Sequence, residues 1–139
     1  MAEAVVLDTS AFLTLTEQED GADEVKARIA AAVEGTVDLH ASFVSLTEIE
    51  YISVQEKGQA VADVRLADMK VLPIRWHHSN DAICSAAAKL KAGHKLSFAD
   101  AFVVALAHRL DATLVHKDPE MAELGTVVKQ QVLPLKTRA

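Results

Sequence analysis

The stretch from Leu96 to Ala107, Leu-Ser-Phe-Ala-Asp-Ala-Phe-Val-Val-Ala-Leu-Ala, constrains this chain more tightly than any other. It has no polar face, the pattern of a helix buried in the middle of a domain. Asp100 is its only charged residue. An unpaired carboxylate in such a place costs on the order of several kcal/mol. Asp100 therefore either caps the helix or occupies its open end for a chemical purpose.

The flanking sequence supplies layers to bury that helix. Ala4 to Leu7 is a wholly apolar run, as expected of a parallel strand covered on both faces. Asp8-Thr9-Ser10 offers three capping residues before Ala11-Phe12-Leu13. Asp23 to Val33 reads as an amphipathic helix with Val25, Ile29 and Val33 on one side, closed by Gly35. A strand over Val37 to His40 precedes two helices, Ser42 to Lys57 and Gln59 to Met69, separated by Gly58. Val71 to Ile74 reads as a short edge strand, and Asn80 or Asp81 caps a helix through Lys91, with Gly93 closing it. After the apolar helix, which runs to about Leu110, come a strand at Thr113 to Val115 and a turn of helix opened by Asp118-Pro119. Val127-Val128 and Val132-Leu133 supply a last edge strand. This alternation predicts a three-layer α/β/α sandwich on a mainly parallel sheet, formed as a single domain over residues 1–139.

Composition narrows the class. Half of the 139 residues are hydrophobic and 24% are charged, which excludes a disordered chain. Apolar runs stop short of the roughly 18 residues a membrane span needs. The start lacks the basic segment of a secretory signal, and Cys84 has no partner for an internal disulfide, so a reducing cytoplasm is the expected compartment. A formal net charge of -6 argues against nucleic-acid binding by bulk electrostatics. It leaves a nuclease open, because acids gathered at a metal site subtract from that count.

Four acids stand out, and each has a structural explanation beside a functional one. Asp8 caps a helix, or sits at the carboxyl end of a parallel strand, where open α/β sheets gather ligands. Ser45-x-x-Glu48 has the form of a capping box, yet the helical wheel sets Glu48 among Val44, Tyr51 and Ile52 and puts Glu50 on the polar side. Ser97-x-x-Asp100 has the same form, and Asp118 is a cap ahead of Pro119. In a parallel sheet all four would share one rim, Asp8 and Asp118 at strand ends, Glu48 and Asp100 in first turns of helices. Gathered carboxylates repel unless a cation neutralises them, and oxygen-only ligation suits Mg²⁺ or Mn²⁺. No Cys/His spacing suggests zinc.

With these residues laid out, the chain resembles the PIN domain family, and within it the VapC-type toxins of toxin–antitoxin pairs. The resemblance rests on Val6-Leu7-Asp8-Thr9-Ser10, Ser45-Leu46-Thr47-Glu48, Leu96-Ser97-Phe98-Ala99-Asp100-Ala101 and Asp118, in that order and spacing. It implies a Mg²⁺- or Mn²⁺-dependent endoribonuclease with Asp8, Glu48, Asp100 and Asp118 as its acidic, metal-binding site. It also implies an RNA substrate, a homodimer and a small antitoxin that occludes the cleft. One departure is present: such proteins often carry a hydroxyl residue two before the last acid, where this chain has His116.

The remaining polar residues have plainer expectations. His116 reads as a surface histidine at a strand end, with contact to RNA phosphate as the alternative. Thr9 and Ser10 either hold Asp8 or a metal-bound water, or cap. Arg75 to His78 and Lys91 to Lys95 read as solvated loop charge or phosphate contacts, Trp76 as packing or a base stack, and Cys84 as a small core residue. A PIN-like module that binds RNA or protein without cutting is the alternative to catalysis. A phosphohydrolase of small esters is a third reading, weakened by the absence of a glycine-rich phosphate loop.

Overall fold

A computed structural model describes residues 2–135. The elements are β1 (Glu3–Leu7), α1 (Thr9–Thr16), α2 (Ala22–Glu34), β2 (Val37–Ser42), α3 (Phe43–Lys57), α4 (Gln59–Lys70) and β3 (Ile74–His77). They continue with α5 (Asp81–Gly93), α6 (Phe98–Arg109), β4 (Thr113–His116), α7 (Pro119–Ala122) and β5 (Lys129–Val132), with a 3-10 turn at Gly125–Val127. The strands form one sheet in the order β3-β2-β1-β4-β5, and every pairing is parallel.

Side chains of β1 alternate between two apolar layers, which is why the strand has no polar face. Val6 joins Leu114 under α5 and α6, while Val5 and Leu7 face Phe12 of α1, Val25 of α2, Ile49 of α3 and Met69 of α4. The apolar helix is α6: Ala101 to Ala107 are all buried, seven in succession, as a helix with no polar face requires. Its two ends open to solvent: Phe98 in the first turn is 71% exposed, and His108 and Arg109 are exposed in the last. α3 and α4 together fill the crossover between β2 and β3.

Several boundaries and faces differ from the sequence reading. β3 lies at Ile74–His77 rather than Val71 to Ile74. Pro73 lacks the N–H a ladder needs, and Val71 is exposed in the turn. Arg75-Trp76-His77 is therefore edge strand, with Trp76 stacked on Phe12 at 5.7 Å between ring centroids. Val33 is exposed, because residues spaced by four drift around a helix of 3.6 residues per turn. Cys84 is exposed on α5 instead of in the core. The last strand is Lys129–Val132, while Val127 belongs to the 3-10 turn.

Four glycines lie at positive φ, where another residue would be strained, and two of them bear on how α2 is held. Gly35 closes α2 in the left-handed region at φ 88°. Gly21, at φ 102°, opens α2 where a Cβ would approach Pro134 Cδ to 3.0 Å, so the segment after β5 packs closely over the α1–α2 turn.

Candidate active site

The strand order fixes where the site lies. From β1 the chain builds outward through β2 to β3, then crosses back to lay β4 and β5 on the other side of β1. The point between β1 and β4 is a topological switch, and the crevice beyond the strand ends there is where open α/β sheets bind ligands. Asp8 follows β1, and Asp118 follows β4. Asp8 N–H donates to Val115 O at 3.0 Å, joining the two strand ends.

Both aspartates also cap helices, and each does so with one oxygen. Asp8 Oδ2 accepts from Ser10 N–H at 3.0 Å and from the Ser10 hydroxyl. Its other oxygen, Oδ1, is buried and has no hydrogen-bond partner. Asp118 Oδ1 accepts from Glu120 N–H at 2.8 Å as the cap of α7. Cap and candidate site are thus two ends of the same carboxylates.

Glu48 has a different support. Ser42, not Ser45, caps α3, so the capping-box reading of Ser45-x-x-Glu48 does not hold. Glu48 is the sixth residue of α3, in its second turn rather than its first. Ser45 is fully buried and lies 2.9 Å from Thr9 Oγ1, which donates to Glu48 Oε1 at 2.7 Å. Thr9 has one proton and spends it on the carboxylate, so the Ser45 hydroxyl donates to Thr9. Tyr51 is exposed, and the buried face of α3 is Ser45, Ile49 and Ser53, with Glu48 half-buried beside it and Glu50 in solvent. Asp100 completes the set from the first turn of α6, where Ser97 caps the helix by accepting the Asp100 N–H at 3.1 Å.

The four carboxylates lie close enough to disturb one another. Burial pushes the Asp8 carboxyl up, with Asp118 adding to it and the Ser10 hydrogen bonds opposing. Burial raises Glu48 as well, reinforced by Asp8 and Asp118 against the Thr9 bond. Asp100 is pushed up to about 7 by burial, then by Asp8 and Asp118, with Glu48 contributing. Four acids from four elements therefore share one electrostatic site.

A hard divalent cation fits this donor set. It is all carboxylate, and Asp8 Oδ1 is a buried acceptor with no donor. Among the described residues no group of three His, Cys, Asp or Glu side chains is already arranged as a cage. Mg²⁺ does not require one, since it keeps several waters and commonly takes one or two carboxylates directly.

Among the other polar residues, Ser10 follows the sequence expectation by holding Asp8, while Thr9 and His116 depart from it. His116 is fully buried, so neither a surface histidine nor a phosphate contact describes it. Ser10 holds Asp8, while Thr9 holds Glu48. Lys117 Nζ is turned away from the acids, bonded to Asp20 O at 2.8 Å with Glu19 3.7 Å away. Gln130, on β5, was not foreseen: it reaches the site through His116, and a polar residue on an edge strand carries no sequence signal for that.

A parallel α/β/α sandwich with acids crowded at its switch point is the architecture of a class, and the chain belongs to the PIN domain family, whose model matches residues 5–127. Solved structures share the fold at low identity. One is a chain of the VapBC2 complex from Rickettsia felis bound to a DNA fragment from its promoter: TM-score 0.75, 13% identity, 94% of this chain and 99% of that one covered. VapBC-1 from nontypeable Haemophilus influenzae gives a TM-score of 0.67 at 18% identity, covering 93% and 97%. VapC20 of Mycobacterium tuberculosis, described as a Sarcin-Ricin loop cleaving toxin, gives 0.69 at 17% identity, covering 87% and 95%. No curated protein sequence matches the chain.

Proposed function

We infer that this chain is a Mg²⁺- or Mn²⁺-dependent endoribonuclease and the toxin of a toxin–antitoxin pair. The observation that carries the reading is the buried, unpartnered Asp8 Oδ1 among three further carboxylates. A set of mutually repelling acids is costly to keep without a cation to neutralise it. The fold shared with a VapC toxin described as cleaving the Sarcin-Ricin loop, and with VapBC complexes, supports an RNA substrate and an antitoxin partner. A homodimer and a cytoplasmic setting belong to the same proposal. Among the described residues no helix is long and apolar enough to cross a membrane.

In this reading Asp8 Oδ1 and Asp100 hold the ion directly, and Glu48 and Asp118 do so directly or through water. When bound, the ion supplies a Lewis acid beside the scissile phosphate and neutralises the acid cluster. Ser10 orients Asp8, leaving Oδ1 free toward the crevice. Thr9 engages Glu48 at Oε1, which leaves Oε2 to meet the ion or a water held by it.

The test is one assay: wild type and Asp100→Asn with a structured RNA in EDTA, Mg²⁺ or Mn²⁺. Cleavage by wild type only, and only with metal, is expected. Equal cleavage by both proteins, or none by wild type in either metal, would sink the catalytic reading.

A further inference from the structure

We propose that His116 is a positioning residue, which sets Asp118 in the site as a neutral imidazole of one fixed tautomer. The proposal rests on the acid site being a metal centre, and adds a residue that touches neither metal nor substrate. Asp118 N–H lies 3.0 Å from His116 Nδ1, and a backbone N–H can only donate. Nδ1 therefore carries no proton, and the neutral ring carries its hydrogen on Nε2. Nε2–H donates to Gln130 Oε1 at 2.7 Å. The Gln130 amide is oriented in turn, because its Nε2 donates to Gly125 O at 2.9 Å.

Three hydrogen bonds thus run from the 3-10 turn, through β5, to the backbone of a candidate ligand. Gln130 is held across the sheet by the β4–β5 pairing, in which Leu114 faces Gln130. Consecutive N–H groups of the loop are each accepted by a different side chain. Lys117 N–H donates to Ser10 Oγ at 2.8 Å, and Ser10 holds Asp8. Asp118 N–H donates to His116. Removing the imidazole acceptor frees Asp118 while the Lys117–Ser10–Asp8 link stays intact. Groups that orient metal ligands in this way typically govern affinity by about 10–100-fold.

Two substitutions separate the halves of the ring. His116→Asn keeps an acceptor close to the Nδ1 position, in the manner of an Asx turn, and loses the donor to Gln130. His116→Gln keeps a donor close to the Nε2 position and loses the acceptor for Asp118. Mn²⁺ affinity, by calorimetry and by the Mn²⁺ EPR signal, should stay close to wild type in His116→Asn and fall by about tenfold in His116→Gln. Urea unfolding in EDTA shows that both variants are folded. Wild-type affinity in His116→Gln would overturn the proposal. Nitrogen NMR of the His116 ring in the unsubstituted protein is an independent arm: an Nε2–H tautomer with a slowly exchanging Asp118 amide is expected. An Nδ1–H tautomer would overturn the proposal. If wild type binds no Mn²⁺, the metal reading fails, and the NMR arm still decides whether His116 holds Asp118.

Discussion

Asp100→Asn removes a charge while leaving the shape of the side chain nearly unchanged, so its effect on stability measures the cost of burying that charge, to which the neighbouring acids add. The carboxyl is displaced from an ordinary 3.8 to about 7. That displacement corresponds to about 4 kcal/mol against the charged form. The group is partly open to water, and screening reduces the expected effect to roughly 2 kcal/mol. The sign follows from which state releases its proton first. Below pH 3.8 both states are protonated and Asp100 contributes nothing. Between 3.8 and about 7 the unfolded chain is ionised and the folded one is not, so wild-type stability falls as pH rises. Above about 7 the full penalty is present. In EDTA at pH 8 the Asn variant should therefore be more stable than wild type by roughly 2 kcal/mol, and at pH 4 nearly equal to it. With a urea slope of about 2 kcal/mol/M, that is a midpoint about 1 M higher at pH 8. Mn²⁺ at 100 times its Kd should raise wild type by about 2.7 kcal/mol and leave the variant nearly unmoved. A variant no more stable than wild type at pH 8 in EDTA would refute the reasoning.

Thr9→Val leaves Glu48 and the buried Ser45 hydroxyl without their shared partner, and should cost about 1–3 kcal/mol in urea unfolding. Trp76→Ala removes the ring stacked on Phe12 beneath the edge strand; a loss of about 3 kcal/mol is expected, since Trp76 is only partly buried. His40 and His77, with Nδ1 and Nε2 2.8 Å apart, are both held below their ordinary 6.5, first by burial. His77 and Arg75 add to this at His40 against Asp38, and Arg75 adds to it at His77. The unfolded chain then takes up protons before the folded one, so these two groups withdraw stability as pH falls below about 6.5. His77→Gln should flatten that part of the stability–pH curve, and an unchanged slope would count against the pair.

The fold was legible where hydrophobic pattern and punctuation agreed. Ala4 to Leu7 had to be covered on both faces, and Gly35 and Gly58 closed helices where expected. The failures came where local pattern does not decide. Val71 is apolar, yet Pro73 cannot donate to a ladder, so the strand begins at Ile74 and takes in residues that read as loop charge. Cys84 is small and apolar, but α5 buries only one face, with Ile83 and Ala87 toward the core.

The acids were legible as residues but not as an arrangement, and the reason lies in how a carboxylate is shared. A sequence pattern offers cap or ligand as alternatives because it sees one residue. Asp8 has two oxygens, one given to Ser10 and one left bare in a buried crevice. Capping does not compete with function here, since the cap fixes the orientation that leaves the second oxygen toward the site. Asp118 likewise caps a helix with one oxygen, through Glu120, and its backbone N–H is held by His116. That last contact could not be read from the sequence. It depends on a glutamine brought in by β5, fourteen residues further along, and on a tautomer set by two hydrogen bonds. His116 in place of a hydroxyl residue looked like a defect in the pattern. Its Nδ1 instead accepts the N–H two residues on, a bond that a short hydroxyl or amide side chain can also make.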